Sequence, residues 1–279
     1  MVSTRTWVLT LITMVAFSAN SILCREALRH TAIDAATFTL VRIASGALVL
    51  AALVRLRGAG GIAGNWGSAL ALLGYAIAFS LAYLSLPAGT GALLLFGAVQ
   101  VTMISRGLMA GERLRNIQMG GLALALAGLV MLLLPGISAP PPGGAALMAA
   151  AGVAWGFYSL RGRREADALA ANAGNFLRAA PVAALICAGM ALMAEVRLDS
   201  LGLVYAVLSG AVASGLGYAL WYKALTGLPA THAATIQLSV PVITAVAGTV
   251  LLDEAVTLRL IAASLAVLGG IALVVTRRR

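Results

Sequence analysis

Apolar residues run along this chain in long blocks rather than in alternation. The blocks fall at about 6–24, 35–54, 67–86, 89–110, 117–134, 144–160, 175–194, 201–222, 229–251 and 258–276. Each is close to the roughly 20 residues a helix needs to cross a bilayer. Strands of a membrane barrel alternate apolar and polar positions, and these runs do not. In lipid only helices and closed barrels satisfy their own backbone, so the pattern predicts ten transmembrane helices joined mostly by short loops. The first run follows Arg5 as a leader peptide would. It is read as a span because a later segment repeats it. The linker from Pro135 to Gly144 separates five spans from five, predicting an all-α integral membrane protein with halves at 1–136 and 143–279.

Composition agrees. Of 279 residues 61% are hydrophobic and 10% charged, with a mean hydropathy of +1.00, against about 25% charged in a soluble domain. The net charge of +10 does not point to nucleic acid, because the basic residues sit in small groups between apolar runs. With the N-terminus placed inside, thirteen of the 19 basic residues fall on inside segments and four, Arg25, Arg29, Arg197 and Arg259, on outside loops. Arg42 and Arg178 lie within spans. That bias predicts both termini in the cytoplasm. Cys24 and Cys187 lie in apolar runs without metal or redox spacing, and read as small buried hydrophobes.

An internal repeat organises the rest. At an offset of 142, Pro87-Ala88 falls on Pro229-Ala230, Ala92 on Ala234, Thr102 on Thr244, Glu112 on Glu254 and Gly128 on Gly270. With small gaps, Gly74-Tyr75 matches Gly217-Tyr218, and Val15-Ala16-Phe17 matches Val153-Ala154-Trp155. The region from Phe38 to Arg42 matches Phe176-Leu177-Arg178. Five is odd, so the second copy enters the membrane from the opposite side. Inverted repeats are the architecture of alternating access around a midplane site.

The run GERLRNIQMGGLALALAGLVMLL from Gly111 to Leu133, and its second copy DEAVTLRLIAASLAVLGGIALVV from Asp253, resemble the EamA-type drug/metabolite transporter superfamily. The resemblance extends over nearly the whole chain. Within the superfamily the sequence most resembles YddG-type exporters of aromatic and other amino acids. It implies a multi-pass transporter of a bacterial inner membrane, with amino acids as the small-molecule substrate and the bilayer as its surroundings. It names no oligomeric state.

Several residues are candidates for binding the solute. Tyr75, Phe79 and Tyr83 are four apart and form a stripe on span three. Phe96 and Gln100 share a face of span four, Trp155 and Tyr158 of span six, and Tyr218 and Tyr222 of span eight. An aromatic wall binds apolar groups by stacking and desolvation; helix packing or an interfacial belt, which suits Tyr83 and Tyr222 best, is the competing reading. Asn20, Gln100, His232, Thr235, Gln237 and Ser239 are uncharged polar residues within spans, each needing a partner or a wet cavity. Pro241 is expected to free the carbonyl of Gln237 near the middle of span nine, and Pro181 that of Leu177 near the start of span seven.

Arg42 sits some 10 Å into span two. It is expected to bind a carboxylate, pair with Asp34 or free carbonyls, or snorkel outward. Because Arg178 matches it, a gating or structural role is favoured for both. Glu112 and Glu254 are expected to anchor or cap the helix that follows each. Gly120-Gly121, Gly128 and Gly269-Gly270 allow close helix approach.

An amino-acid exporter is therefore expected, with a drug or other metabolite as the alternative cargo. A membrane enzyme finds no serine–histidine pair, metal-ligand spacing or P-loop to support it, and no cofactor is expected. A passive channel is disfavoured by the repeat. No span carries a central carboxylate for a proton relay, which favours facilitated diffusion or weakly proton-linked export.

Overall fold

The computed structural model describes residues 3–58, 61–111, 114–136, 139–162, 165–225, 228 and 236–275. Among them the chain forms α1 (Thr4–His30), α2 (Ala35–Leu56), α3 (Trp66–Tyr83), α4 (Ala88–Met109) and α5 (Asn116–Leu133). The second half holds α6 (Pro142–Gly162), α7 (Ala168–Ala191), α8, α9 (Ser239–Leu252) and α10 (Leu258–Val275). Helix α8 runs from Ser200–Val207 through a π-helical stretch, Leu208–Leu216, into Gly217–Leu225. Among the described residues nine helices are long and apolar enough to cross a membrane, and α9 is a shorter apolar helix.

Helix starts follow from local chemistry. The Asp34 carboxylate accepts from the amides of Ala36 (2.9 Å) and Thr37 (2.8 Å), the Asn65 amide oxygen accepts from Ser68 N (2.9 Å), and Asp167 accepts from Ala170 N (3.1 Å). Each satisfies a donor that a first turn leaves open. Pro87 precedes α4 and offers no side-chain cap. That cap comes from far along the sequence, as described below.

The helices pack in corresponding pairs: α2 on α7, α4 on α9 and α5 on α10, while α3 packs on α6 and α1 on α8. Helix α5 buries only the stripe Gly121, Ala125, Gly128 and Leu132, spaced three to four apart as one helix face requires. Its partner α10 presents Leu260, Ala263, Val267, Gly270 and Ile271. At the crossing a side-chain carbon on Gly121 would stand 2.5 Å from the backbone oxygen of Gly270, and Gly270 meets the Gly121 oxygen even more closely. Lipid drives no apolar association between helices, so such backbone approach is what joins them.

Three span expectations need correction. Span seven begins at Ala168, not near 175, because Asp167 caps it. Pro181 therefore lies mid-helix rather than near the start. Span nine breaks at Leu238. Pro241 then falls in the first turn of α9, where its missing N–H removes no helical bond; the Ser239 hydroxyl donates back to Ile236 O (2.7 Å) at the break. Glu112, His232 and Thr235 lie outside the described residues.

The glycine crossing yields a test. Gly121→Leu is expected to destabilise the protein by about 3 kcal/mol or more through overpacking, read as a lower apparent unfolding temperature in detergent. Gly120→Ala, one residue away with nothing within 4 Å of the added carbon, is expected to leave that temperature unchanged.

Candidate functional site

Six aromatic side chains from five helices converge between the two halves. Phe17 comes from α1, Tyr75 and Phe79 from α3, Phe96 from α4, Trp155 from α6 and Tyr218 from α8; with Asn20, Ser21, Leu95 and Ala213 they line one cavity. The Tyr75 ring lies 4.9 Å from Trp155 and 5.2 Å from Phe79, and Trp155 lies 5.1 Å from Tyr218. Phe17 meets Tyr218 edge-on at 5.8 Å. These separations are those of favourable ring pairs. The cavity is narrow, with about 20 Å³ of free volume. Small-molecule pockets usually measure roughly 300–1,000 Å³, so the cavity is smaller than such a pocket.

A polar cluster backs the rings. Arg42, on α2, is 1% exposed. Its Nη2 donates to the Tyr75 hydroxyl (2.9 Å), and its guanidinium carbon lies 5.1 Å from the Tyr75 ring centre and 4.8 Å from that of Phe79. The Asn20 side-chain amide also donates to the Tyr75 oxygen (3.2 Å), while Asn20 Oδ1 accepts from the Ser209 hydroxyl (2.6 Å). Ser209 stands in the π-helical stretch of α8, whose extra residue per turn displaces the helix face locally. Gly210 in that stretch lies against the Arg42 carbonyl and Ser45 Oγ, leaving no room for a side-chain carbon. Ala213, also in the stretch, reaches the cavity wall.

Two sets of ties close the ends of the bundle. At the end carrying the α1–α2 turn, Arg25 Nε pairs with Glu254 Oε1 at 3.0 Å, with side-chain exposures of 10% and 8%. Arg29 approaches the same oxygen at 3.8 Å. Arg25 Nη1 also donates to Tyr83 O (2.8 Å), and Glu254 Oε2 accepts from Ala88 N (2.6 Å). Glu254 therefore caps α4, in the other half, and not the next helix as expected. Asp253 permits this: its left-handed backbone (φ 52°) ends α9 and turns the chain back, a conformation Asp tolerates better than most residues. Asp34 N donates to Arg197 O (3.0 Å) and Arg197 N to Asp34 Oδ2 (3.2 Å). Burial pushes the Asp34 carboxyl up, but the bonds from Thr37, Arg197 and Ala36 outweigh it and hold the group below its ordinary value.

At the opposite end the α2–α3 loop is stitched to α7. Ala63 N donates to Ala170 O (3.1 Å), Asn65 N to Asn175 Oδ1 (3.0 Å), and Arg178 Nη1 to Ala63 O (2.8 Å) and Gly174 O (2.9 Å). Arg57 pairs with Asp167, and that contact draws the Asp167 carboxyl below its usual range.

The expected site residues thus divide. Asn20, Tyr75, Phe79, Phe96, Trp155 and Tyr218 meet at the cavity. Tyr83 and Tyr158 extend the ring chain without lining it: Tyr83 packs edge-on to Phe79 at 4.8 Å, and Tyr158 packs on Trp155 at 5.4 Å and donates to Asn172. Tyr83 is fully buried, which removes its interfacial-belt reading. Gln100 is buried in α4, and Gln237 and Ser239 sit at the break in span nine; none of the three lines the cavity. Arg42 neither snorkels nor pairs with Asp34, which is occupied as a cap. Arg178 is not its counterpart in environment: one faces the aromatic cluster, the other a loop carbonyl. Phe17, Ser21, Leu95, Ala213 and Ser209 join the site without having been expected there. Phe17 had a signal, since the repeat places it on Trp155.

Among the described residues, an all-helical bundle of membrane-length apolar helices with an aromatic cavity among five of them has the form of a multi-pass membrane protein. Residues 142–276 match the EamA-like transporter family. An uncharacterized protein of Pseudomonas aeruginosa is similar at 57% identity over 276 residues, covering 98% of this chain and 96% of that protein. A crystal structure at 20% identity aligns over 98% of each chain with a TM-score of 0.68, a likeness of fold. The second part of the chain, residues 142–276, is an EamA-like transporter family domain, within the drug/metabolite transporter superfamily.

Breaking one partner of a buried ion pair leaves an uncompensated charge. Glu254→Gln is therefore expected to destabilise the protein by on the order of 3 kcal/mol, lowering its apparent unfolding temperature in detergent. An unchanged temperature would show that the Arg25–Glu254 pair does not hold this end together.

Proposed function

We propose that the protein exports amino acids with aromatic or other uncharged side chains across a bacterial inner membrane, by alternating access between two inverted five-helix halves. The observation that carries this reading is the composition of the cavity wall. Phe17 and Trp155 are matched positions in the repeat, as are Tyr75 and Tyr218, and all four rings face one cavity. A site built from equivalent positions of both halves is what a carrier needs if its two access states mirror each other.

The ties at the two ends support the inversion. The α2–α3 loop bonds to α7 at one end, and the α7–α8 loop bonds to the start of α2 at the other. The excess of basic residues on inside segments supports cytoplasmic termini. The sequence resemblance to YddG-type exporters supports the direction of transport and the amino-acid cargo. Ring faces stack on apolar side chains, and Asn20 and Tyr75 supply polar contacts. Among the described residues no carboxylate lines the cavity, which supports facilitated movement over tight proton coupling.

Counterflow of labelled phenylalanine into proteoliposomes tests the site. Trp155→Ala and Tyr218→Ala are each expected to lower transport efficiency by roughly 10-fold, the scale of a lost ring contact and its buried area; wild-type rates in folded variants would remove the rings from the site. Accumulation that follows an imposed pH gradient would replace facilitation with proton coupling. For topology, a single cysteine at position 140 is expected to react with impermeant maleimide in intact cells, and one at the carboxyl end only after the membrane is permeabilised. Labelling from one face would refute the inverted arrangement.

A further inference from the structure

Arg42 is a cation held in a membrane interior, and among the described residues no carboxylate forms an ion pair with it. Its hydrogen bond among the described residues goes to a phenol, not to a carboxylate. Nη2 bonds to the Tyr75 oxygen, while Nε and Nη1 are fully buried and have no hydrogen-bond partner among the described residues. Ring faces of Tyr75 and Phe79 offset part of the charge, but they accept no N–H in the plane of the guanidinium. Buried arginines elsewhere in this chain are treated differently: Arg25 has a carboxylate and two carbonyls.

The hydrogen bonds around Tyr75 give that charge a route to the cavity. Asn20 Oδ1 accepts from Ser209, so its amide nitrogen faces Tyr75. The Tyr75 oxygen thus accepts from both Arg42 and Asn20, and its own proton is left to donate elsewhere. Tyr75 lines the cavity. A phenol polarised by a guanidinium behind it is a strong donor toward an anion.

We infer that Arg42 and Tyr75 form the anion-recognition site of the cavity, and that the group they read is the carboxylate of the solute. This deepens the transport reading and rests on it. When the helices part, the carboxylate accepts from the Tyr75 hydroxyl and, as that ring swings, from the open Nε and Nη1 of Arg42; the apolar body stacks among Trp155, Tyr218 and Phe17. No acid lines the cavity among the described residues, so a free ammonium finds no ion pair there. The site is therefore selective for the carboxylate end and indifferent to the amino group.

Four matched probes test this on the purified full-length protein in detergent, by calorimetric binding: L-phenylalanine, 3-phenylpropionate, L-phenylalaninamide and phenethylamine. The two carboxylates are expected to bind wild type with similar affinity, and the two without a carboxylate roughly 10- to 100-fold more weakly, as loss of a charge-assisted bond predicts. Arg42→Gln and Tyr75→Phe are each expected to cut carboxylate affinity about 10-fold or more and to leave the weaker pair unmoved, with Arg42→Lys retaining part of the preference. Equal binding of all four probes to wild type overturns the inference and leaves the transport reading standing. Binding of none overturns both. Retained preference in folded Arg42→Gln and Tyr75→Phe assigns the carboxylate elsewhere; should Arg42→Gln fail to fold, Tyr75→Phe and the wild-type ratio settle the matter.

Discussion

A guanidinium ion sealed inside lipid is the constraint around which the centre of this protein is arranged. Taking such an ion out of water costs several kcal/mol even after relaxation, and ring faces return about 2 kcal/mol each when desolvated. The fold meets the charge with two aromatic faces and a phenol on α3. That places α2 against α3, and Asn20 and Ser209 then bring α1 and α8 to the same phenol. Four helices are thereby registered on one buried charge. The aromatic cavity is the other side of this arrangement, since Tyr75 and Phe79 present one face to Arg42 and line the cavity as well.

The ends are held by a different kind of contact. There the ties are carboxylates and backbone groups near the limits of the helices, and they cross between halves. Glu254 joins α1, α4 and the α9–α10 turn through one carboxylate. The glycine crossing of α5 and α10 is not of this kind; its backbones are too close to slide apart without repacking. The bundle therefore combines a closely packed peripheral pair with polar closures at its ends.

Sequence pattern and structure agree where the signal is local or periodic. Long apolar runs placed the helices, with errors where a cap decided the start: Asp167 lengthened span seven, and the break at Leu238 shortened α9. Aromatic spacing on helix faces and one polar position within a span picked out six of the ten cavity-lining residues, among them Tyr75 and Tyr218, which the repeat also matches. The repeat would have located Phe17 through Trp155. Where the repeat decays it misled, as with Arg178, which sits two residues after its matched phenylalanine while Arg42 sits four after, so the two arginines face different neighbours.

Alone, then, the sequence determined an all-helical membrane bundle and the aromatic character of its interior, since hydropathy and spacing are properties of short stretches. Only the tertiary structure decided that Glu254 caps a helix 166 residues away, that a π-helical stretch in α8 brings Ser209 to Asn20, and that Arg42 points inward at ring faces. Those outcomes depend on which helix faces meet and at what depth. No local pattern encodes that, because it is fixed by the fit of ten helices to one another.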